Sequence, residues 1–151
     1  MDNCIFCQII KGELGSAKIW ENEEFVAILD INPNTKGMTL VLSKEHYGPN
    51  VFDMPDDVYQ RFMLAGKQVS KILEKGLGVK RVVLVTEGMG IDHAHIKLYP
   101  LHGISENFKD VLAKEKIFFD KYEGYISTQL GLEYGISKLK SMAEEIKRKS
   151  A

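Results

Sequence analysis

Residues 92–100 read "DHAHIKLYP", in which His93 and His95 stand one residue apart and Lys97 continues the spacing. Successive side chains of a β-strand point to opposite faces, so in a strand these three residues share one face. The residues between them are apolar and predict a buried opposite face: Ala94, Ile96 and Leu98. A strand here therefore predicts two imidazoles and an ammonium side by side on one accessible surface.

Such a set is suited to phosphorus chemistry. A neutral imidazole can attack an electrophilic phosphorus near pH 7 when a partner on its other ring nitrogen fixes the tautomer. The reaction also needs a cation for the phosphate oxygens and a proton source for the leaving group. Lys97 fits the role of phosphate anchor better than that of general acid. The alternative is that these are polar residues on a strand with no chemical role.

The two cysteines of the chain, Cys4 and Cys7, lie three residues apart near the start. A spacing of this kind lets one turn present both thiolates to a zinc ion, which prefers four nitrogen or sulfur ligands when its role is structural. The remaining ligands would come from the four histidines, and the spacing does not choose among them: His46, His93, His95 and His102. The alternative is a reduced cysteine pair without a metal.

Composition excludes several classes of protein. A chain of 151 residues with 44% hydrophobic residues is the size of one domain and can bury a core without disulfides. The net charge of −1 gives no sign of a long nucleic acid as partner. No apolar run has signal-peptide or membrane-spanning length. The sequence therefore predicts a cytoplasmic protein without a membrane partner.

The hydrophobic pattern changes period along the chain. Two short apolar stretches predict a hairpin, strand-like runs follow, and an amphipathic helix begins at Pro55 with acidic residues in its first turn. These features predict an α+β fold with a mostly antiparallel sheet. The predicted elements are a hairpin over 18–30, a strand over 38–43, the helix from Pro55 to about Gly76, a buried strand over 80–88, the histidine strand, and helices over 109–122 and 137–149.

Three stretches together resemble the histidine triad (HIT) family of nucleotide hydrolases and transferases, in its zinc-containing branch. They are "CIFCQIIKGE", "AILDINPNTKGMTLVLSKEH" and "HAHIKLYP", in the order and at about the separations of that family. The resemblance implies a HIT-like fold, with a five-stranded antiparallel sheet and a long helix, in a chain that forms a homodimer. It covers a HIT-like domain at residues 1–103 and leaves 104–151 as a C-terminal helical extension packed on the same domain.

The resemblance also implies roles for individual residues. The zinc ligands would be Cys4, Cys7, His46 and His93, which leaves His102 without a role. His95 would be the nucleophile, with Lys97 at the third position of the triad. Asp30 would bind the ribose hydroxyls and Ile31 the base, and Thr86 stands where a nucleotide-binding asparagine is common in relatives. For Asp30 the alternative is a turn-capping aspartate.

Several residues depart from the family pattern. Met38 replaces a histidine near the nucleophile, Lys97 replaces the third histidine, and the loop over 88–92 is shorter than in relatives. Related transferases also lack the third histidine and carry glutamine there. The short loop contains glycines, and its backbone amides could form an anion-binding nest.

The predicted function is a nucleotidyl hydrolase or transferase that forms a covalent nucleotidyl-His95 intermediate. Its substrates would be nucleoside phosphates, phosphoramidates or dinucleoside polyphosphates. The alternative is a catalytically weak or inactive nucleotide-sensing or scaffolding dimer that keeps the zinc. A third interpretation is a zinc-stabilised interaction domain without a ligand. Residues 122–131 or the helix after them are expected either to close over the nucleotide or to cover the dimer interface or a sheet face.

Overall fold

The computed structural model describes residues 3–105, 107, 111, 116–124, 126 and 131–151. Within them, one sheet of five strands has the order β1-β2-β3-β5-β4, and all neighbouring strands are antiparallel. The predicted α+β architecture, with a five-stranded antiparallel sheet and a long helix, is confirmed. The elements are α1 (Ile5–Ile10), β1 (Lys18–Glu21), β2 (Phe25–Leu29), β3 (Thr39–Ser43), a 3₁₀ turn (Val51–Asp53), α2 (Asp56–Leu77), β4 (Val82–Val85), β5 (His95–Pro100) and α3 (Ile136–Ser150).

The central strands are buried on both faces because helices cover the sheet from both sides. Side chains of β2, β3 and β5 alternate between a large core beneath α2 and α3 and a smaller core beneath α1. Ala94, just before β5, and Ile96 and Leu98 on the strand enter the larger core, as the alternation predicts. The opposite face of β5 therefore lies under α1, and this is the face that carries the histidines.

The long helix α2 follows from the spacing of its apolar residues. The buried residues recur at steps of three and four, and their burial under the sheet drives helix formation: Phe62, Ala65, Val69 and Leu73. Asp56 and Asp57 occupy the first turn, where the helix dipole favours negative charge. Gly78 ends the helix in a left-handed conformation with φ of 66°.

The hairpin, the strand before the lysine–histidine stretch, and the last helix form within a residue or two of their predicted bounds. The predicted buried strand over 80–88 is shorter, and its burial was predicted wrongly. β4 forms the edge of the sheet, and Val83 and Leu84 are 38% and 39% exposed. A run of apolar residues does not distinguish a central strand from an edge strand whose side chains remain partly accessible.

The predicted helix over 109–122 lies mostly outside the described residues. Residues 111 and 116–122 are described and are not helical, so for them the prediction is wrong. No helix within the described parts of the chain is both long and apolar enough to cross a bilayer.

Helix α3 packs against α2 and β1. Its buried residues belong to the larger core: Leu139, Ala143 and Ile146. The two helices meet closely at Gly76, where a Cβ atom would lie 2.7 Å from the carbonyl oxygen of Ile146. The extension therefore contributes apolar residues to the same core as the sheet.

Because of this shared core, we propose that the extension unfolds together with the sheet in one transition. Leu139 is 1% exposed and Leu132 is 86% exposed, which gives a matched pair of substitutions. Leu139→Ala should lower the free energy of unfolding by about 2–5 kcal/mol, the usual range for a buried leucine, whereas Leu132→Ala should change it little. Urea denaturation monitored by circular dichroism measures both values, and equal stability of the two variants would contradict the proposal.

Candidate functional site

Four side chains converge at the start of α1: Cys4, Cys7, His46 and His93. Their ligand atoms, one from each residue, all lie within 4.8 Å of one another. Cys4 precedes α1 and Cys7 lies on its first turn, His46 follows β3, and His93 precedes β5. The structure therefore brings together residues from three distant parts of the sequence, including two histidines that spacing alone did not select.

The distances within this cluster fit a tetrahedral metal ion. The His93 Nδ1 atom lies 3.5 Å from Cys4 Sγ and 3.6 Å from Cys7 Sγ, and His46 Nδ1 lies 3.3 Å from Cys7 Sγ. The two Nδ1 atoms are 3.2 Å apart. A tetrahedral zinc with ordinary bond lengths separates sulfur from nitrogen by about 3.5 Å and nitrogen from nitrogen by about 3.3 Å. The donor set and its spacing both suit zinc.

The outer nitrogen of His93 is held by the sheet. Its Nε2–H donates to the carbonyl oxygen of Ser43 at 2.7 Å, which leaves a lone pair on Nδ1. An outer hydrogen bond of this kind orients histidine ligands in metal sites. Burial lowers the pKa of His93, and burial together with the neighbouring Cys4 raises the pKa of Cys7. Two cysteine thiols and two imidazole nitrogens that lie this close together are suited to binding one cation.

His95 lies next to the cluster but is not part of it. Its Nδ1–H donates to the carbonyl oxygen of His93 at 2.7 Å, so Nε2 carries the free lone pair. Burial lowers the pKa of His95, and the charge of Lys97 lowers it further against the opposing effect of the His93 carbonyl. The ring is therefore neutral near pH 7, with one nitrogen held and the other available.

The sequence predicts an accessible surface for the two histidines, and this prediction is wrong. His93 is fully buried and His95 is 3% exposed. The cause is Phe6 of α1, whose ring meets the rings of His93 and His95 edge-on at centroid distances of 5.7 and 5.4 Å. Helix α1 covers this face of the strand, and His95 lines a cleft beside the helix.

This cleft has a volume of about 290 Å³ and a mostly apolar lining. One wall is α1 and another is the loop 89–91. Asp30, Ile31 and Asn32 form the rim after β2, and His95 and Lys97 form the floor. Apolar walls with a few convergent polar groups are typical of small-molecule sites. The arrangement can hold a flat apolar group near Ile31 and an anion near Lys97.

Lys97 has a buried acidic neighbour that sequence reasoning missed. Its Nζ lies 3.5 Å from a carboxylate oxygen of Glu87, and the two side chains are 11% and 2% exposed. Glu87 follows β4, which pairs with β5, and the register places Val85 opposite Lys97. Sheet pairing was the signal that could have found Glu87, but it requires knowing the register of β4.

The other candidate residues lie elsewhere. Thr86 and Met38 are not among the described residues that line the cleft, and Met38 is buried at 2% exposure. His102 lies outside the metal-type cluster, and its Nε2 is 2.8 Å from the carbonyl oxygen of Lys36. Asp30 also makes the turn-capping bond of the alternative interpretation, since its Oδ1 accepts from the amide of Asn32 at 2.8 Å.

A five-stranded antiparallel sheet with paired histidines beside a cleft defines a histidine triad type of domain. The HIT domain family model matches residues 11–104, and the chain belongs to this family. The predicted resemblance is confirmed, and the Cys and His cluster is the set expected of the zinc-containing branch.

Three curated relatives illustrate the similarity. An uncharacterized HIT-like protein of Methanocaldococcus jannaschii is 38% identical over 64% of this chain and 78% of its own length. Protein hit of Bacillus subtilis is 33% identical over 71% of this chain and 77% of its own length. An adenosine 5′-monophosphoramidase of Candida albicans is 33% identical over 65% of this chain and 70% of its own length. The family therefore includes hydrolases of nucleotide compounds.

Solved structures show the same fold. A hypothetical histidine triad nucleotide-binding protein of Sulfolobus tokodaii superimposes with a TM-score of 0.74, at 24% identity, over 97% of this chain and 91% of its own. A zinc-bound histidine triad family protein of Mycobacterium smegmatis gives a TM-score of 0.69 at 19% identity, over 99% and 94%. At these identities the likeness concerns the fold.

Proposed function

We propose that the chain is a nucleotidyl hydrolase or transferase in which His95 forms a covalent nucleotidyl intermediate. The observation that carries the proposal is the state of the His95 ring: Nδ1 is held by the His93 carbonyl, Nε2 is left with a lone pair, and the residue lines the cleft. A fixed tautomer with a free nitrogen is what nucleophilic catalysis by histidine requires.

In the proposed reaction, the Nε2 lone pair attacks the α-phosphorus of a nucleoside phosphate compound. A nitrogen–phosphorus bond forms, and the bond to the leaving group breaks with its electron pair, which takes a proton from solvent. Water or another acceptor then attacks the same phosphorus and loses a proton, and the nitrogen–phosphorus bonding pair returns to His95. The proposed substrate classes are nucleoside phosphates, phosphoramidates and dinucleoside polyphosphates. The relative from Candida albicans is named an adenosine 5′-monophosphoramidase, which supports the phosphoramidates.

The cleft offers a partner for each part of a nucleotide. The Asp30 carboxylate can accept bonds from both ribose hydroxyls, and Ile31, which is 45% exposed, offers an apolar surface to the base. Lys97 offers a positive charge beside His95 for the phosphate oxygens. Thr86 is not among the described residues that line the cleft. We propose that it contributes to nucleotide binding indirectly, by holding the loop 89–91 that does line the cleft.

The covalent step can be tested by mass spectrometry. Incubation with adenosine 5′-phosphoramidate, followed by a brief quench without acid, should give the native chain a nucleotide-sized mass increase that His95→Ala lacks. The variant should turn the substrate over at least about 1000-fold more slowly, because the nucleophile is absent. His102→Ala, which alters a histidine outside the cleft, should behave like the native chain.

A nucleotide-sensing or scaffolding dimer remains the second candidate, and one observation favours it. Glu87 partly neutralises Lys97, so a phosphate gains less from the ammonium than from an isolated lysine. A protein of this kind would still bind the nucleotide and the zinc but would not turn over a substrate. Tight binding of nucleotides from a varied panel, with neither adduct nor product, would favour the sensor over the enzyme.

We also propose that the Cys4, Cys7, His46 and His93 cluster holds a structural zinc ion. The types of the four donor atoms and the distances between them support a zinc ion. The two cysteines must stay reduced to bind the ion, which is the usual state of thiols in the cytoplasm. The ion would supply no catalytic step, since four protein ligands close its coordination shell. It would join the start of α1 to the ends of β3 and β5.

Metal analysis of the purified protein should find about one zinc per chain. His46→Ala should remove most of the zinc and lower the free energy of unfolding by about 3 kcal/mol or more, because metal binding contributes to folding. His102→Ala is the matched control and should keep both values. A metal-free protein of unchanged melting temperature would contradict the structural role.

We propose that two copies pair through the exposed edge of the sheet. β4 ends the sheet, and its Val83 and Leu84 leave apolar surface at an edge whose backbone groups are available for pairing. Light scattering should give twice the 17.1 kDa chain mass. Leu84→Lys should shift the mass towards the monomer, whereas Leu132→Lys, an exposed position outside β4, should not.

A further inference from the structure

A short segment before α3 is bonded to the rim of the cleft. We call residues 131–134 the strap. The amide of Gly131 donates to the carbonyl oxygen of Asn32 at 3.1 Å, and the amide of Tyr134 donates to the carbonyl oxygen of Ile31 at 2.7 Å. The strap therefore runs beside the loop after β2, against the residues that form the rim.

The contact is too close for any residue but glycine at position 131. A Cβ atom there would lie 1.9 Å from the carbonyl oxygen of Pro33 and 2.6 Å from its carbon. Both atoms belong to the backbone, so they cannot turn aside as a flexible side chain would. Gly135, four residues later, has no atom within 4 Å of its Cβ position. The close approach is thus particular to the point where the strap meets the loop.

The loop transmits this contact to the cleft through Asn32. The Asn32 carbonyl accepts from Gly131, and the Asn32 amide donates to Oδ1 of Asp30 at 2.8 Å. Asp30, Ile31 and Asn32 all line the cleft. A continuous series of hydrogen bonds therefore runs from the strap to the carboxylate, and a second bond holds the backbone of Ile31.

The other end of the strap is fixed by the main core. Tyr134 packs against the larger core, and the Nζ atom of Lys138 lies 3.7 Å from the centre of its ring. Leu139, one turn into α3, is fully buried. No strap residue is among the described residues that line the cleft. The strap thus contacts the rim without itself lining the cleft.

We propose that the strap is a positioning element that sets the affinity of the cleft for the nucleoside part of its ligand. The inference rests on the proposed nucleotide site at Asp30 and Ile31. Holding the loop in its binding conformation before the ligand arrives removes an ordering cost from binding. The strap acts through the loop, so it affects binding of the nucleoside and leaves the chemistry at His95 unchanged.

The test compares Gly131→Ala with Gly135→Ala in the full chain. Isothermal titration measures the Kd of AMP, and turnover of adenosine 5′-phosphoramidate gives KM and kcat. Gly131→Ala should raise Kd and KM about tenfold and leave kcat within about twofold, because the added carbon separates the strap from Pro33. Gly135→Ala should leave all three values unchanged. A purely structural role would lower the melting temperature without separating KM from kcat.

Hydrogen exchange supplies a readout that needs no ligand. The Asn32 amide should exchange faster in Gly131→Ala than in the native chain or Gly135→Ala. Unchanged exchange, or faster exchange with an unchanged Kd for AMP, overturns the inference. If the native chain binds no nucleotide, the proposed function is wrong, and so is the role of the strap in nucleoside affinity. This outcome is recognisable because the Asn32 amide can still exchange faster in Gly131→Ala. Should Gly131→Ala fail to fold, Tyr134→Pro removes the N–H that bonds Ile31, and Tyr134→Ala, which loses the side chain but keeps this N–H, is its control.

Discussion

His93 joins the two halves of the site through two different groups. Its ring lies in the metal-type cluster, with Nδ1 towards the cysteines and Nε2–H on the Ser43 carbonyl. Its backbone carbonyl accepts the Nδ1–H of His95 and so decides which nitrogen of that ring is free. The position of this one residue therefore fixes both the cluster and the tautomer of the ring at the floor of the cleft. A shift of this segment by one residue would move the His93 ring out of the cluster and its carbonyl away from His95.

Much of the fold and part of the site could be predicted because they depend on local periodicity. The alternation in "HAHIKLYP" predicted which face of β5 enters the core, and the three- and four-residue steps predicted α2. The resemblance then identified the histidines that join the cysteines, a choice that spacing had left open. The local pattern was sufficient to predict which residues are buried wherever burial depends only on the residue's position within its own helix or strand.

The remaining features depend on contacts between distant segments. That Phe6 covers the histidine face follows from where α1 docks, and that Glu87 meets Lys97 follows from the register between β4 and β5. The exposure of β4 depends on its position at the sheet edge. The bonds from residues 131 and 134 to the rim join positions about a hundred residues apart in sequence. Hydrophobic periodicity carries no information about any of these contacts.

Helix α1 has two tasks in this molecule. It carries Cys7 and follows Cys4, and its Phe6 and Ile9 line the cleft above His95. The helix is only six residues long, too short to persist in water without its docking contacts. Any change at the cluster that displaces α1 would therefore also alter one wall of the cleft.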